Sequence, residues 1–81
     1  MKRIVFSQQA RADVRRLDQN MAMRIFAALH RFARTGVGDI KRLQGETIEL
    51  RLRVGDYRVR FTEEPDTVHI IRVLHRKEAY R

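Results

Sequence analysis

Residues 48–60, I-E-L-R-L-R-V-G-D-Y-R-V-R, alternate apolar and charged side chains on either side of a Gly-Asp pair. Ile48, Leu50 and Leu52 fall on one side, and Glu49, Arg51 and Arg53 on the other. Beyond Gly55 and Asp56 the alternation resumes, with Arg58 and Arg60 set against Val59 and Phe61. Two such runs joined by two turn residues predict a β-hairpin. With Gly55 and Asp56 at the centre of the turn, Arg53 stands opposite Arg58 and Arg51 opposite Arg60. Leu52 then meets Val59, and Leu50 meets Phe61, on the other face. Like charges directly opposite one another destabilise a sheet. Four arginines on one face, offset only by Glu49, therefore point to an anionic partner; an ordinary solvated face mixes its signs.

Composition narrows the partner. The chain has 81 residues, enough for a single domain over residues 1–81 with a small core. A partner that binds so small a fold adds to its stability by mass action. With no cysteine there is neither a disulfide framework nor a thiolate metal site. No apolar run is long enough to span a bilayer and none reads as a cleaved leader, so a cytoplasmic protein without membrane contact is expected. Net charge is +8, from 18 Lys and Arg against 10 Asp and Glu, and arginine far outnumbers lysine. The planar guanidinium fork matches phosphate, which favours nucleic acid and leaves acidic protein segments as a second class of partner.

The remainder of the chain supplies a frame for the hairpin. Residues 2–7 hold the apolar trio Ile4-Val5-Phe6 and predict a short strand, and Ser7 is placed to cap a helix. Ala10, Val14 and Leu17 share one face of that helix, expected over residues 8–17. A second helix is expected over residues 20–34, where Ala22, Ile25, Phe26, Leu29, Phe32 and Ala33 follow the helical period. Met21 and Met23 read as packing or rim. Gly36 is placed to close this helix in the left-handed conformation. Residues 36–46 are expected as a loop pinned by Ile40 and Leu43; no strand leads into Gly36-Val37-Gly38, so a phosphate-binding glycine loop lacks its context. Glu63, Glu64 and Asp66 form an acidic turn. Residues 68–75, V-H-I-I-R-V-L-H, are nearly all apolar and predict a strand covered on both faces, in which Arg72 needs a partner or a route to solvent. Residues 76–81 are short enough to be a tail or one helical turn. The order β-α-α-β-β-β predicts an α+β fold, an antiparallel sheet with a two-helix hairpin on one face.

Cleavage of RNA without a metal needs a base for the 2′-hydroxyl, charge stabilisation at phosphorus and an acid for the leaving oxygen. Among the three histidines, His75 sits at the end of the last strand beside Arg76 and is the natural proton-transfer candidate. The plainer reading is a histidine that merely fills a strand end, and His69 and His30 read as structural or solvated. Arg51, Arg58 and Arg76 are candidate clamps for a phosphate and its developing charge, and arginine stays protonated, which disqualifies it as a base. Tyr80 offers a stacking surface or an acid or base. The carboxylates form no catalytic pair, no spacing supports a metal site, and the only serine, Ser7, is used as a cap.

The stretch L-R-V-G-D-Y-R-V-R-F, preceded by K-R-L-Q-G and followed by H-R-K-E-A-Y-R, resembles the RelE/ParE superfamily of type II toxins, and within it the RelE branch. The resemblance covers nearly the whole chain. It implies a microbial-ribonuclease-like fold and a metal-independent endoribonuclease, free of cofactors, that cuts mRNA in the ribosomal A site by attack of the 2′-hydroxyl. By the same resemblance Arg58 holds the scissile phosphate and Arg76 stabilises the transition state or protonates the leaving group. Tyr80 stacks on a base and helps activate the nucleophile, and Arg51 and Arg53 flank the substrate. Arg60, His75 and Lys77 are then further RNA contacts. Where the RelE pattern has two lysines this chain has Glu49 and Arg51, which leaves the base open among Glu49, His75 and Tyr80. The implied partners are a cognate antitoxin, the ribosome with its mRNA, and operator DNA only through the toxin-antitoxin complex. Two rival functions share the scaffold: a ParE-like poison of DNA gyrase, and a degenerate toxin that only binds its antitoxin.

Overall fold

In the computed structural model, which describes residues 1–43 and 48–79, the elements run β1 (Arg3–Phe6), α1 (Gln8–Arg15), α2 (Gln19–Thr35), β2 (Ile40–Leu43), β3 (Glu49–Val54), β4 (Tyr57–Glu63), β5 (Thr67–His75) and α3 (Arg76–Ala79). The hairpin has the expected register, with Arg53 opposite Arg58, Arg51 opposite Arg60, Leu52 opposite Val59 and Leu50 opposite Phe61. Gly55 has φ 58° and Asp56 does not leave the negative range, the pattern of a type II′ turn whose twist suits a hairpin. Helix boundaries follow capping chemistry. Ser7 Oγ accepts from the Ala10 amide at 3.0 Å, and Asp18 Oδ1 accepts from the Met21 amide at 2.8 Å. Gly36, at φ 77°, returns its amide to the Phe32 carbonyl and closes α2.

The strands form one sheet in the order β1-β5-β4-β3-β2, with β1 parallel to β5 and the other pairs antiparallel. The fold is α+β as expected, with a parallel edge and a fifth strand added. Ile40 to Leu43, expected as loop, pair with β3 instead. The adjacent Lys41 and Arg42 break period-two alternation, and an edge strand tolerates such outward charge because one side pairs with nothing. Ala10, Ile25, Leu29 and Phe32 from the helices pack on Leu50, Leu52, Val54, Val59, Phe61, Val68, Ile70 and Val73 in one core. Phe61 is wholly buried and meets Phe32 edge-on, with centroids 5.1 Å apart. Burial of one such side chain contributes about 1.5–3 kcal/mol.

The apolar run in β5 has a different cause from the expected two-sided burial. Phe61 pairs with Ile70 while Arg60 pairs with Arg72, so Ile71 is an extra residue in a β-bulge. The bulge reverses the alternation. Val68 and Ile70 face the core before it and Val73 after it, while Ile71 and Leu74 stay half-buried. Past the bulge β1 has ended, and α1 lies along the vacated edge. Ser7 Oγ donates to the Ile71 carbonyl at 2.8 Å. Asp13, 6% exposed, accepts from the Val73 amide at 2.9 Å and from the Arg72 fork at 2.8 and 3.1 Å.

Burial pushes the Asp13 carboxyl upward, but the hydrogen bonds from Arg72 and Val73 and the charges of Arg72 and Arg16 outweigh it and hold the group below its ordinary value. A carboxylate depressed on folding stabilises above the ordinary aspartate range and loses that contribution as pH falls through its folded value. Asp13→Asn is therefore expected to destabilise the fold by about 2–3 kcal/mol at neutral pH. In urea melts the gap to the wild type should narrow steadily on acidification; a gap independent of pH would show that the charge of Asp13 contributes nothing.

Candidate functional site

The sheet face turned away from the helices is lined by cations in register. Lys41 pairs with Arg51, Arg51 with Arg60, and Arg60 with Arg72, one row across β2, β3, β4 and β5. Next to it, nearer the turn, Arg53 lies opposite Arg58. Repulsion along the row is relieved unevenly. Arg60 donates from Nε and Nη2 to the two Glu49 oxygens, both at 2.9 Å. Those bonds raise the affinity of Arg60 for its proton, against burial and against the charge of Arg72. Hydrogen bonding to Asp13 does the same for Arg72. Arg53 Nε lies 2.8 Å from Asp39, with both side chains about three-fifths exposed.

Arg58 is 8% exposed, and its Nη1 donates to the carbonyls of Gly55 and Tyr57, both at 3.0 Å. The turn thus fixes a guanidinium at the floor of the face before any ligand arrives. Around it Asp39, Lys41, Arg51, Arg53 and Arg58 line a cavity of about 240 Å³. Among the described residues, one carboxylate stands with four cations there, which suits a ligand with several anionic oxygens. The cavities flanking Phe6 and Phe26 lie on the helix side and are mainly apolar. Among the described residues no three His, Asp or Glu side chains converge to hold a metal ion, and no helix is long and apolar enough to cross a membrane.

The structure therefore brings together Arg51, Arg53 and Arg58, and it adds Lys41 and Asp39, which the sequence reading had left in a loop. Their signal was the K-R pair before the hairpin, legible only once β2 is paired. Arg76 joins through the backbone: its amide donates to the Asp56 carbonyl at 2.7 Å, which pins the start of α3 to the hairpin turn. Arg60 lies on the same face with its fork already engaged by Glu49. His75 is placed elsewhere. Its ring packs edge-on against Tyr57, with centroids 5.4 Å apart, and it shares a small cavity on the helix side with Leu17 and Val73. His75 Nδ1 accepts from the Lys77 amide at 3.2 Å, so the imidazole caps α3. The Lys77 side chain is exposed on that turn. Tyr80 lies outside the described residues.

Residues 4–80 match the family described as the ParE toxin of the type II toxin-antitoxin system parDE. Toxin RelE3 of Methanocaldococcus jannaschii is 45% identical over 42 residues, 52% of this chain and 48% of that protein, so the match spans about half the length of the curated relative. The RelB-RelE antitoxin-toxin complex from Methanococcus jannaschii contains a chain of 28% identity and TM-score 0.78, with 94% of each chain covered. The toxin-antitoxin complex RelBE2 from Mycobacterium tuberculosis contains one of 30% identity and TM-score 0.66, covering 91% of this chain and 96% of that one.

The cap on α3 can be separated from ring packing by substitution. His75→Asn keeps an acceptor near the position of Nδ1, whereas His75→Phe keeps the ring edge and removes the acceptor. The Lys77 amide is expected to exchange faster with solvent in His75→Phe than in His75→Asn, followed by NMR hydrogen exchange. The reverse order would show that the ring contact alone holds α3.

Proposed function

The chain belongs to the ParE toxin family of type II toxin-antitoxin systems, and from that membership we propose that it is a metal-independent endoribonuclease that cuts mRNA in the ribosomal A site and is neutralised by a cognate antitoxin. The observation that supports this most is Arg58, a guanidinium buried at the base of a cation-lined cavity and fixed by two carbonyls of its own turn. Catalysis by charge stabilisation depends on dipoles and charges already in place when negative charge develops.

In the proposed reaction the 2′-oxygen of a bound ribose attacks the adjacent phosphorus. A 2′,3′-cyclic phosphate forms, the P–O5′ bond breaks, and the 5′-oxygen leaves with a proton supplied by water. Arg58 and Arg51 stabilise the charge on the non-bridging oxygens. Arg76, tied to the turn through Asp56, supports the leaving side. Of the candidate bases, Glu49 has both oxygens engaged by the Arg60 fork instead of facing a substrate hydroxyl. His75 spends Nδ1 on the Lys77 amide on the other side of the sheet. Proton removal is assigned to Tyr80, the role in activating the nucleophile that the resemblance to RelE-like toxins gives it. The same basic surface suits an acidic antitoxin segment, and the RelB-RelE and RelBE2 structures are antitoxin-toxin complexes. The proposed setting is cytoplasmic, and operator DNA is met only through the toxin-antitoxin complex.

A second reading, a gyrase poison, is favoured by the ParE name of the matching family. Mapping of mRNA 5′ ends after brief induction separates the two. Cuts at a fixed position within codons, on translated messages only, are expected for the wild type. Loss of a single transition-state contact of this kind lowers the rate about 10²–10³-fold, so Arg58→Ala and Arg76→Ala should abolish visible cuts. Growth arrest with intact mRNA and a DNA-damage response would replace the nuclease by the gyrase poison. A folded protein giving neither arrest nor cuts would leave a degenerate binder.

A further inference from the structure

The counter-ions on the basic face are graded from one side of the sheet to the other, and we propose that this grading sets the path of the RNA: from Arg58 across β3 to the β2 edge, where Lys41 and Arg53 take a second phosphate in place of Asp39. The inference rests on the nuclease reading of this face and adds the direction and a further phosphate subsite. At the β5 side Arg72 is held by Asp13, a carboxylate 5% exposed in its side chain that also satisfies the Val73 amide. Withdrawing Arg72 toward a ligand would leave a buried carboxylate uncompensated. In the middle Arg60 is held through both its Nε and Nη2 by Glu49, whose side chain is 15% exposed. Both cations are committed to the fold.

At the β2 side the balance is the opposite. The Asp39 carboxylate and the Arg53 guanidinium meet at 2.8 Å with side chains 61% and 63% exposed, while the backbones are joined separately by the Arg53 amide donating to the Asp39 carbonyl at 2.9 Å. Such a pair is worth roughly 0–1 kcal/mol, so a phosphate oxygen exchanges with the carboxylate at little cost. Lys41 is exposed, stands opposite Arg51 in the register, and lines the same cavity as Arg53 and Arg58. A compact ammonium on a flexible stem follows a phosphate without a fixed approach angle. Asp39 is then a built-in competitor: it holds Arg53 in place in the empty protein and weakens the subsite by its own charge.

The test uses the whole chain and a short fluorescein-labelled 2′-O-methyl RNA, which lacks the attacking hydroxyl and cannot be cut. Anisotropy titrations across a salt series give the slope of log Kd against log salt. Lys41→Gln is expected to weaken binding and to lower the slope by about 0.7, the value for one phosphate contact on a single strand. Asp39→Asn is expected to tighten binding without lowering the slope. Arg11→Gln removes the same charge as Lys41→Gln from an exposed position on α1, on the helix side, and should leave the slope unchanged. Indistinguishable slopes for Lys41→Gln and Arg11→Gln would overturn the subsite. So would loss of antitoxin binding in Lys41→Gln with RNA binding intact, which would assign the edge to the protein partner. If cuts in mRNA depend on Arg58 while the Lys41→Gln slope is normal, only the path falls; if the wild type neither binds RNA nor cuts mRNA, the nuclease reading falls with it.

Discussion

The Asp13 carboxylate holds the two halves of this fold together. The sheet loses a strand partner along β5 where β1 ends, and a buried strand edge without partners is costly. Asp13 supplies the missing acceptor to the Val73 amide through Oδ2 and, with both oxygens, neutralises the arginine that the bulge turns outward. One side chain from a helix thus does what a neighbouring strand would do. It also fixes where α1 lies, and α1 brings Ala10 into the core.

The site follows from the same economy of charge. A row of cations in direct cross-strand register is unfavourable by itself, and the molecule relieves it most completely where the row is nearest the core. Asp13 and Glu49 consume Arg72 and Arg60, while the Asp39 carboxylate meets the Arg53 guanidinium in solvent. The basic face is therefore not a uniform patch. Its ligand-ready part is the corner between the hairpin turn and β2, where Arg58 is held by carbonyls and the backbone of Arg76 is fastened to Asp56.

The hairpin was legible in the sequence because alternation and turn chemistry agree, and its register follows from the turn alone. The caps at Ser7 and Gly36 were legible for the same reason, each resting on local geometry. What escaped was non-local. Ile71 looks like one more core residue until the pairing of Phe61 and Arg60 shows it to be a bulge. Asp13 is an ordinary helical aspartate in sequence, and its partners lie 59 and 60 residues away. Lys41 and Arg42 obscure β2, and with it the contribution of Lys41 to the cavity. Arg51, Arg53 and Arg58 are brought together as strand parity requires. The same parity, shifted by the bulge, carries His75 to the helix side.

The parallel pairing of β1 with β5 has a consequence for synthesis of the chain. β5 follows every other strand in sequence, yet it lies between β1 and β4 in the sheet. Until residues 67–75 have been made, β1 has no strand to pair with and α1 has no edge to cover. Contacts that join distant parts of the sequence form late and slow folding. The nascent chain can pair β2, β3 and β4 as they emerge, but β1 and α1 cannot join the sheet before β5, and the hairpin turn waits for Arg76 before its carbonyl at Asp56 is satisfied. A polypeptide with this topology closes its fold in one late step, so a partially translated copy carries the arginine hairpin without the strand that joins it to β1 and α1.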